Sequence, residues 1–136
     1  MKPFRQAVEA NDHAAIEALL AEDVVFTSPV VFKPYPGKPI TAAILRAASR
    51  VFTDFRYVRE TAGEDGRDHA LVFEARVGDR AITGCDFLHL NEQGLIDDFM
   101  VMVRPLSAAQ ALAEAMGAQF DRIAAEAAGA ARADGE

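Results

Sequence analysis

The chain has 136 residues, of which 51% are hydrophobic, and its formal net charge is -7. This length suits one domain with its own core, and the composition excludes a disordered chain. The acidic balance argues against nucleic acid and anionic membrane surfaces as partners, because like charges repel.

Cys85 is the single cysteine, so no intramolecular disulfide can form, which fits a reducing compartment. The first residues, MKPFRQAVEAND, lack the apolar core of a signal peptide. No run approaches the roughly 20 apolar residues of a membrane span. We therefore expect a cytoplasmic protein without a membrane partner.

The first third of the chain has helical spacing with one strand. Residues 4–10 predict a short helix, and Asp12 is a good N-cap for a second helix that carries Ile16, Leu19 and Leu20 on one face. A strand is predicted over residues 24–28. Pro39 suits the first turn of a third helix that extends to about residue 52.

Residues 26–38, FTSPVVFKPYPGK, connect this strand to the third helix. They combine three prolines with the large apolar side chains of Val30, Val31, Phe32 and Tyr35. A surface linker rarely carries so much apolar area, and a core strand does not tolerate three prolines. This segment, called the proline lip below, therefore needs a covering partner or a ligand.

From Phe55 onwards the apolar period changes to two. Strands are predicted over residues 55–61, 70–77, 81–90 and 95–104, joined by short turns into an antiparallel meander. Ser107 is expected to cap a closing helix. Gly84, inside the third meander strand, predicts a bulge or bend. We expect one α+β domain over residues 1–125 and a flexible tail over residues 126–136.

The segment AITGCDFLHL places one ionisable group on an apolar face. With strict alternation, Ile82, Gly84, Asp86 and Leu88 share one side of the strand. If that side faces the core, burial raises the pKa of Asp86 unless a cation or hydrogen-bond donors compensate. Asp86 is then either an acid/base group in a pocket or a structural residue paired with an arginine or backbone N–H groups.

The last strand is apolar on both faces near its middle, with Met100 and Met102 opposite Phe99, Val101 and Val103. A sheet with one solvated face would carry polar residues there. A second copy of the chain, joined through this sheet face, is the expected cover.

No pattern in the sequence indicates a metal or cofactor. His13, His69 and His89 are scattered without ligand spacing. Ser28 lacks the glycine context of a nucleophile elbow, and no glycine-rich phosphate loop is present. We expect neither a metal site nor a cofactor.

The chain resembles the nuclear-transport-factor-2-like superfamily, and within it the SnoaL-like and ketosteroid-isomerase-like proteins. The landmarks are Ala10-Asn11-Asp12, LLAEDVVFTSP at 19–29, Gly37, GCDFLHLNEQGLID at 84–97 and MVRPL at 102–106. The resemblance implies a cone-shaped, curved antiparallel sheet with N-terminal helices packed on it, an extra C-terminal helix, an apolar pocket and a homodimer.

The resemblance also implies which catalytic positions are retained. The ketosteroid-isomerase base falls at Ser28, and the oxyanion tyrosine of the first helix falls at Phe4, so neither is retained. The acid of the third meander strand is retained as Asp86. The proline lip would wrap the open end of the cone. The implied pocket consists of Phe4, Ser28, Phe32, Tyr35, Tyr57, Leu88, Phe99, Val101 and Val103.

Two functions remain open on the sequence alone. In the first, the pocket binds a small hydrophobic molecule and Asp86 performs acid/base chemistry of an isomerase or cyclase type. In the second, the protein is a non-catalytic ligand carrier or a dimeric interaction module, and Asp86 is structural.

Overall fold

The computed structural model describes the backbone of residues 1–135 and the side chains of residues 1–132. Within this part of the chain, five helices and six strands form an α+β fold with a curved, open, mixed sheet. The helices are α1 (Lys2–Glu9), α2 (His13–Ala18), α3 (Lys38–Val51), α4 (Leu106–Ala118) and α5 (Phe120–Gly135). The strands are β1 (Leu20–Thr27), β2 (Tyr35–Pro36), β3 (Phe52–Ala62), β4 (Asp68–Val77), β5 (Arg80–Leu90) and β6 (Ile96–Arg104).

The strand order is β2-β1-β6-β5-β4-β3, and the predicted antiparallel meander β3–β6 is confirmed. The sheet is mixed rather than wholly antiparallel, because β1 runs parallel to β6, with Phe26 opposite Phe99. One helix and four strands lie between β1 and β6 in the chain, so the chain can return in the same direction.

The helix starts follow the local sequence in two of three cases. Asp12 accepts a hydrogen bond from the backbone N–H of Ala15 at 3.1 Å, which confirms its predicted capping role. Gly37, at a positive φ of 105°, precedes α3. The expected cap at Ser107 is wrong, because α4 already begins at Leu106. Within residues 1–135, no helix is both long enough and apolar enough to cross a membrane.

Burial on β5 follows the predicted alternation. Ile82, Gly84, Asp86 and Leu88 are buried, whereas Phe87 is partly exposed on the outer face. The buried face joins β1, β4 and β6 in one core with the inner sides of the helices. Asp86 is therefore an acidic side chain on the core face of the sheet.

Gly84 allows a close contact with the Phe73 ring and does not form the predicted bulge. It pairs with Phe73 on β4 and Val103 on β6 without a register shift. A Cβ atom at Gly84 would lie 2.2 Å from Cζ of Phe73, so the aromatic ring occupies the space of the missing side chain. The glycine is required because the Phe73 ring crosses the strand at this point.

The bulge of the β5–β6 ladder lies at the other end of the strand pair. His89 pairs with Asp98 and Leu90 with Ile96, which leaves Asp97 as the extra residue on β6. Asp97 Oδ1 lies 2.6 Å from Nδ1 of His89. Because the bulge changes the alternation, Asp97 pairs with this histidine at a partly exposed strand end.

The expected domain boundary at residue 125 falls inside α5. Helix α5 extends to Gly135, and Ile123 on it is buried in the core. Glu126 lies 3.5 Å from Nη1 of Arg50 and 4.0 Å from Nη1 of Arg46, so α5 packs on α3 beyond the expected boundary. Residue 136, the last of the expected tail, lies outside the described residues.

We predict that Gly84→Ala destabilises the fold by about 1–3 kcal/mol, because the added methyl group must displace the Phe73 ring in a packed core. Urea unfolding monitored by circular dichroism measures the change. Gly129→Ala is the matched control, since a Cβ there meets no atom within 4 Å. Adding Phe73→Leu to Gly84→Ala should recover part of the loss. Equal stability of the wild type and Gly84→Ala would contradict the steric account.

Candidate active site

A cavity of about 440 Å³ lies between the helices and the concave face of the sheet. Phe26, Phe73 and Phe99 line its sheet wall, and Leu45 and Met116 line its helix wall. Most of the lining is apolar, and the volume falls in the range of small-molecule sites. The cavity can therefore hold a compact hydrophobic molecule.

Most of the pocket residues expected from the sequence lie around this cavity. They come from α1, the end of β1, the proline lip, β3, β5 and β6. The cavity-lining ones are Phe4, Ser28, Tyr35, Tyr57, Asp86, Phe99 and Val101, whereas Phe32, Leu88 and Val103 lie elsewhere.

Three residues that were expected in the pocket do not line the cavity: Phe32, Leu88 and Val103. Ser28 Oγ accepts hydrogen bonds from the N–H groups of Val30 and Val31 at 3.1 and 3.2 Å, which folds the lip into a tight turn. Phe32 follows this turn and is 100% exposed. Leu88 is buried in the core away from the cavity, and Val103 packs against the core without reaching the cavity.

Asp86 has one hydrogen-bond partner among the described side chains. The hydroxyl of Tyr57 donates to Asp86 Oδ2 at 2.7 Å, and both residues are only 6% exposed. Among residues 1–132, Oδ1 has no hydrogen-bond partner, and it is not one of the fully enclosed polar atoms that lack a partner. One carboxyl oxygen is thus fixed by Tyr57, and the other remains free for a ligand.

Burial controls the protonation of this pair. It raises the pKa of Asp86 from 3.8 to about 7, and the hydrogen bond from Tyr57 partly opposes this shift. Burial and the neighbouring Asp86 raise the pKa of Tyr57, which stays a neutral donor. Within residues 1–132, no cationic group lies within ion-pair distance of Asp86, so the arginine-paired alternative is not what the structure shows.

An aromatic stack fixes the position of Tyr57. The ring of Phe55 lies stacked on Phe73 at 4.8 Å and edge-on to Tyr57 at 5.1 Å. The guanidinium of Arg5 lies 5.9 Å from the Tyr57 ring centroid and donates to the Tyr57 carbonyl oxygen at 3.3 Å. The Tyr57 hydroxyl is therefore held toward Asp86 by packing on both sides.

The sequence did not reveal the polar part of the helix wall. Glu9, Asn11, His13 and Ser49 line the same cavity as Asp86. The third helix was predicted, but no motif distinguishes Ser49 within it. Among residues 1–132, no group of three or more His, Cys, Asp or Glu side chains is arranged to hold a metal ion.

A family model for the SnoaL-like domain matches residues 2–99. The chain belongs to the SnoaL-like family of the nuclear-transport-factor-2-like superfamily. The matched segment contains Tyr57, Asp86 and Phe99, and it ends before α4 and α5, which complete the helix wall. A search of the curated proteins gave no match.

Solved structures with substantial identity share this architecture. A steroid delta-isomerase from Pseudomonas aeruginosa is 42% identical, with 90% of this chain and 89% of that chain covered and a TM-score of 0.84. An uncharacterised protein with a cystatin-like fold from Silicibacter pomeroyi DSS-3 is 41% identical, with 87% and 82% covered and a TM-score of 0.82. A polyketide cyclase-like protein from Pseudomonas putida KT2440 shares the fold at 20% identity, with 79% and 90% covered and a TM-score of 0.64.

We predict that Asp86→Asn makes the stability of the fold less sensitive to pH. Because the folded-state pKa is raised to about 7, the wild type holds this proton more tightly than the unfolded chain does. The contribution of this proton to the free energy of unfolding is fully present below about pH 4. It decreases by roughly 4 kcal/mol as the pH rises to about 7.

Urea unfolding at about pH 4 and about pH 8 measures this difference. Relative to the wild type, the free energy of unfolding of Asp86→Asn should increase by up to that amount when the pH is raised from about 4 to about 8. Glu114→Gln, at an exposed position on α4, is the control and should follow the wild type. A variant that is equally destabilised at both pH values would instead identify Asp86 as a structural carboxylate.

Proposed function

We propose that this SnoaL-like protein binds a small hydrophobic molecule and catalyses a cofactor-independent proton transfer of the isomerase or cyclase type. The supporting observation is Asp86, a buried carboxyl group that lines an apolar cavity and contacts the Tyr57 hydroxyl instead of a cation. A purely structural carboxylate would gain stability from a cationic partner. A pKa of about 7 suits a group that must both accept and return a proton.

The geometry supports a two-step transfer. The free Oδ1 of ionised Asp86 removes a proton from a carbon next to a ligand carbonyl, and the electron pair of that C–H bond forms the enolate. Neutral Asp86 then returns the proton to a second carbon, which moves the double bond and regenerates the carboxylate. Tyr57 keeps its hydrogen bond to Oδ2 throughout and holds the carboxyl plane.

The comparisons support the reaction class without identifying the substrate. The steroid delta-isomerase is similar over most of both chains, so a bond-shifting reaction on a compact alicyclic ligand is consistent with the shared fold. The cavity of about 440 Å³ has room for such a ligand. The alternative is a carrier, which needs only the apolar cavity and no reaction at Asp86.

A proton-exchange assay separates the two functions. We expect the protein to exchange the α-hydrogens of a bound β,γ-unsaturated cyclic ketone with deuterium from D2O, followed by proton NMR, and to shift the double bond into conjugation. Asp86→Asn should lower this rate by about 10²–10⁴-fold, because it removes the acid/base group. Ketone binding by calorimetry should persist, since the cavity remains apolar.

Two further variants test the assignment. Tyr57→Phe should move the midpoint of the pH–rate profile above about 7, because it removes the hydrogen bond that lowers the pKa of Asp86. Asp97→Asn, which changes an acid that does not line the cavity, is the matched control and should keep the wild-type profile. If the ketone binds but its α-hydrogens do not exchange at any pH, the enzymatic function is contradicted and the carrier function is supported.

We also propose that a second copy of the chain covers the outer face of the sheet. Phe87 is 37% exposed there and Met102 is 55% exposed. Along the strands this apolar centre is flanked by Arg76 and Arg104 at one end and by acidic residues, Asp68 and Asp98, at the other. A two-fold axis that lies in the interface and runs perpendicular to the strands would place the basic end of each copy against the acidic end of its partner.

We expect a dimer in sedimentation velocity that weakens when one end is reversed, as in Arg104→Asp or Asp98→Arg. The double reversal should restore part of the association, because complementarity returns with the opposite sign. Leu106→Asp, at an exposed position outside the sheet, is the control. A monomeric wild type, or a double variant no better than the single ones, would contradict this interface.

A further inference from the structure

The polar group formed by His13 and Ser49 lies on the helix wall, whereas Asp86 and Tyr57 lie on the sheet wall of the same cavity. His13 begins α2, and Ser49 lies in the last turns of α3. Their side chains meet with Nε2 of His13 3.3 Å from Oγ of Ser49. The largely apolar lining thus contains two polar pairs that belong to different walls of the cavity.

The hydrogen bonds determine which atoms remain available. Ser49 Oγ donates its single proton to the carbonyl oxygen of Arg46 at 2.6 Å, so it can only accept from His13. In the neutral imidazole, Nε2 therefore carries the proton and Nδ1 is an acceptor. Nδ1 has no hydrogen-bond partner among the side chains of residues 1–132.

The surrounding charges limit what this position can bind. The cavity lining contains Glu9 and Asp86 and, within residues 1–132, no lysine or arginine. Ser49 is exposed and His13 is half-buried, so this position lies at the solvent-facing edge of the cavity. An anionic ligand group there would find no counter-charge in the lining. The carboxylate of Glu9 is already paired with Nε of Arg5 at 2.6 Å, and the other acid of the lining, Asp86, lies on the sheet wall. A neutral hydrogen-bond donor is the group that fits Nδ1.

We propose that His13 and Ser49 form a second subsite that binds a hydroxyl group at the end of the ligand opposite to the reacting end. This inference deepens the proposed function and rests on it. The hydroxyl donates to Nδ1 of His13, Ser49 fixes the imidazole in the tautomer that accepts, and Asn11 borders the same part of the cavity. The ligand class is then a compact alicyclic ketone with a distal hydroxyl group.

Three probes of one skeleton test this subsite by isothermal titration calorimetry: cyclohexylcyclohexanone, its analogue with a hydroxyl at the far end of the second ring, and the corresponding carboxylate. We expect the hydroxylated ketone to bind roughly 2- to 10-fold more tightly than the plain ketone, as one net hydrogen bond provides. The carboxylate should bind more weakly than the plain ketone.

His13→Leu and Ser49→Ala should each bring the ratio of the affinities for the hydroxylated and the plain ketone close to one. His69→Leu and Ser107→Ala are matched controls outside the cavity and should retain the preference. Histidine labelled with nitrogen-15 gives a readout that needs no variant, since the Nδ1 resonance of His13 should shift with the hydroxylated probe and not with the plain ketone.

The outcomes separate this inference from the function on which it depends. Binding of the plain ketone without any preference for the hydroxyl, or a preference that survives in both cavity variants, overturns the subsite alone. Failure of all three probes to bind overturns the proposed hydrophobic ligand together with the subsite. Tighter binding of the carboxylate overturns the assignment of a neutral donor.

Discussion

The contact between the Phe73 ring and Gly84 links the shape of the sheet to the candidate active site. Because Gly84 has no side chain, the ring can lie across β5 at a distance where a Cβ would be 2.2 Å away. Phe55 stacks on this ring, and Tyr57 packs edge-on against Phe55. Asp86 lies two residues after Gly84 on the same face of β5 and accepts the hydrogen bond of the Tyr57 hydroxyl. The position of the acid and its donor therefore depends on the absence of a methyl group.

Alternation along β5 was sufficient to predict that Asp86 shares a face with Ile82 and Leu88, because a strand has a strict period of two. The structure shows that this face is buried in the core. The same reasoning could not locate the bulge. A glycine in a strand is compatible with a bend or with a close approach, and the choice depends on Phe73, which is distant in sequence. The parallel pairing of β1 with β6 was likewise outside the reach of local patterns, since it depends on how the whole meander folds back.

The sheet wall of the candidate site was more predictable than its helix wall. The family resemblance implied Tyr57, Phe99 and Val101 as pocket residues, and all three line the cavity. Phe32 was misplaced because its apolar character suggested burial, whereas the turn formed by Ser28 directs it outward. The hydrogen bond between Tyr57 and Asp86 joins residues 29 positions apart, and no local pattern encodes such a pair.

Desolvation of Asp86 has two effects: it lowers the stability of the fold when the carboxyl group is ionised, and it makes the carboxylate a stronger base. An apolar environment without a cation makes the ionised carboxylate unfavourable, which lowers the stability of the fold as the pH rises. That environment also leaves the carboxylate a stronger base than an exposed aspartate. The Tyr57 hydroxyl moderates the effect by stabilising the ionised form, so that the pKa lies near 7 instead of higher. An apolar residue at position 86 would fill the same wall without the cost of ionisation, so the fold itself does not require a carboxyl group there. A carboxyl group with one oxygen held by Tyr57 and the other free is the feature on which the proposed proton transfer rests.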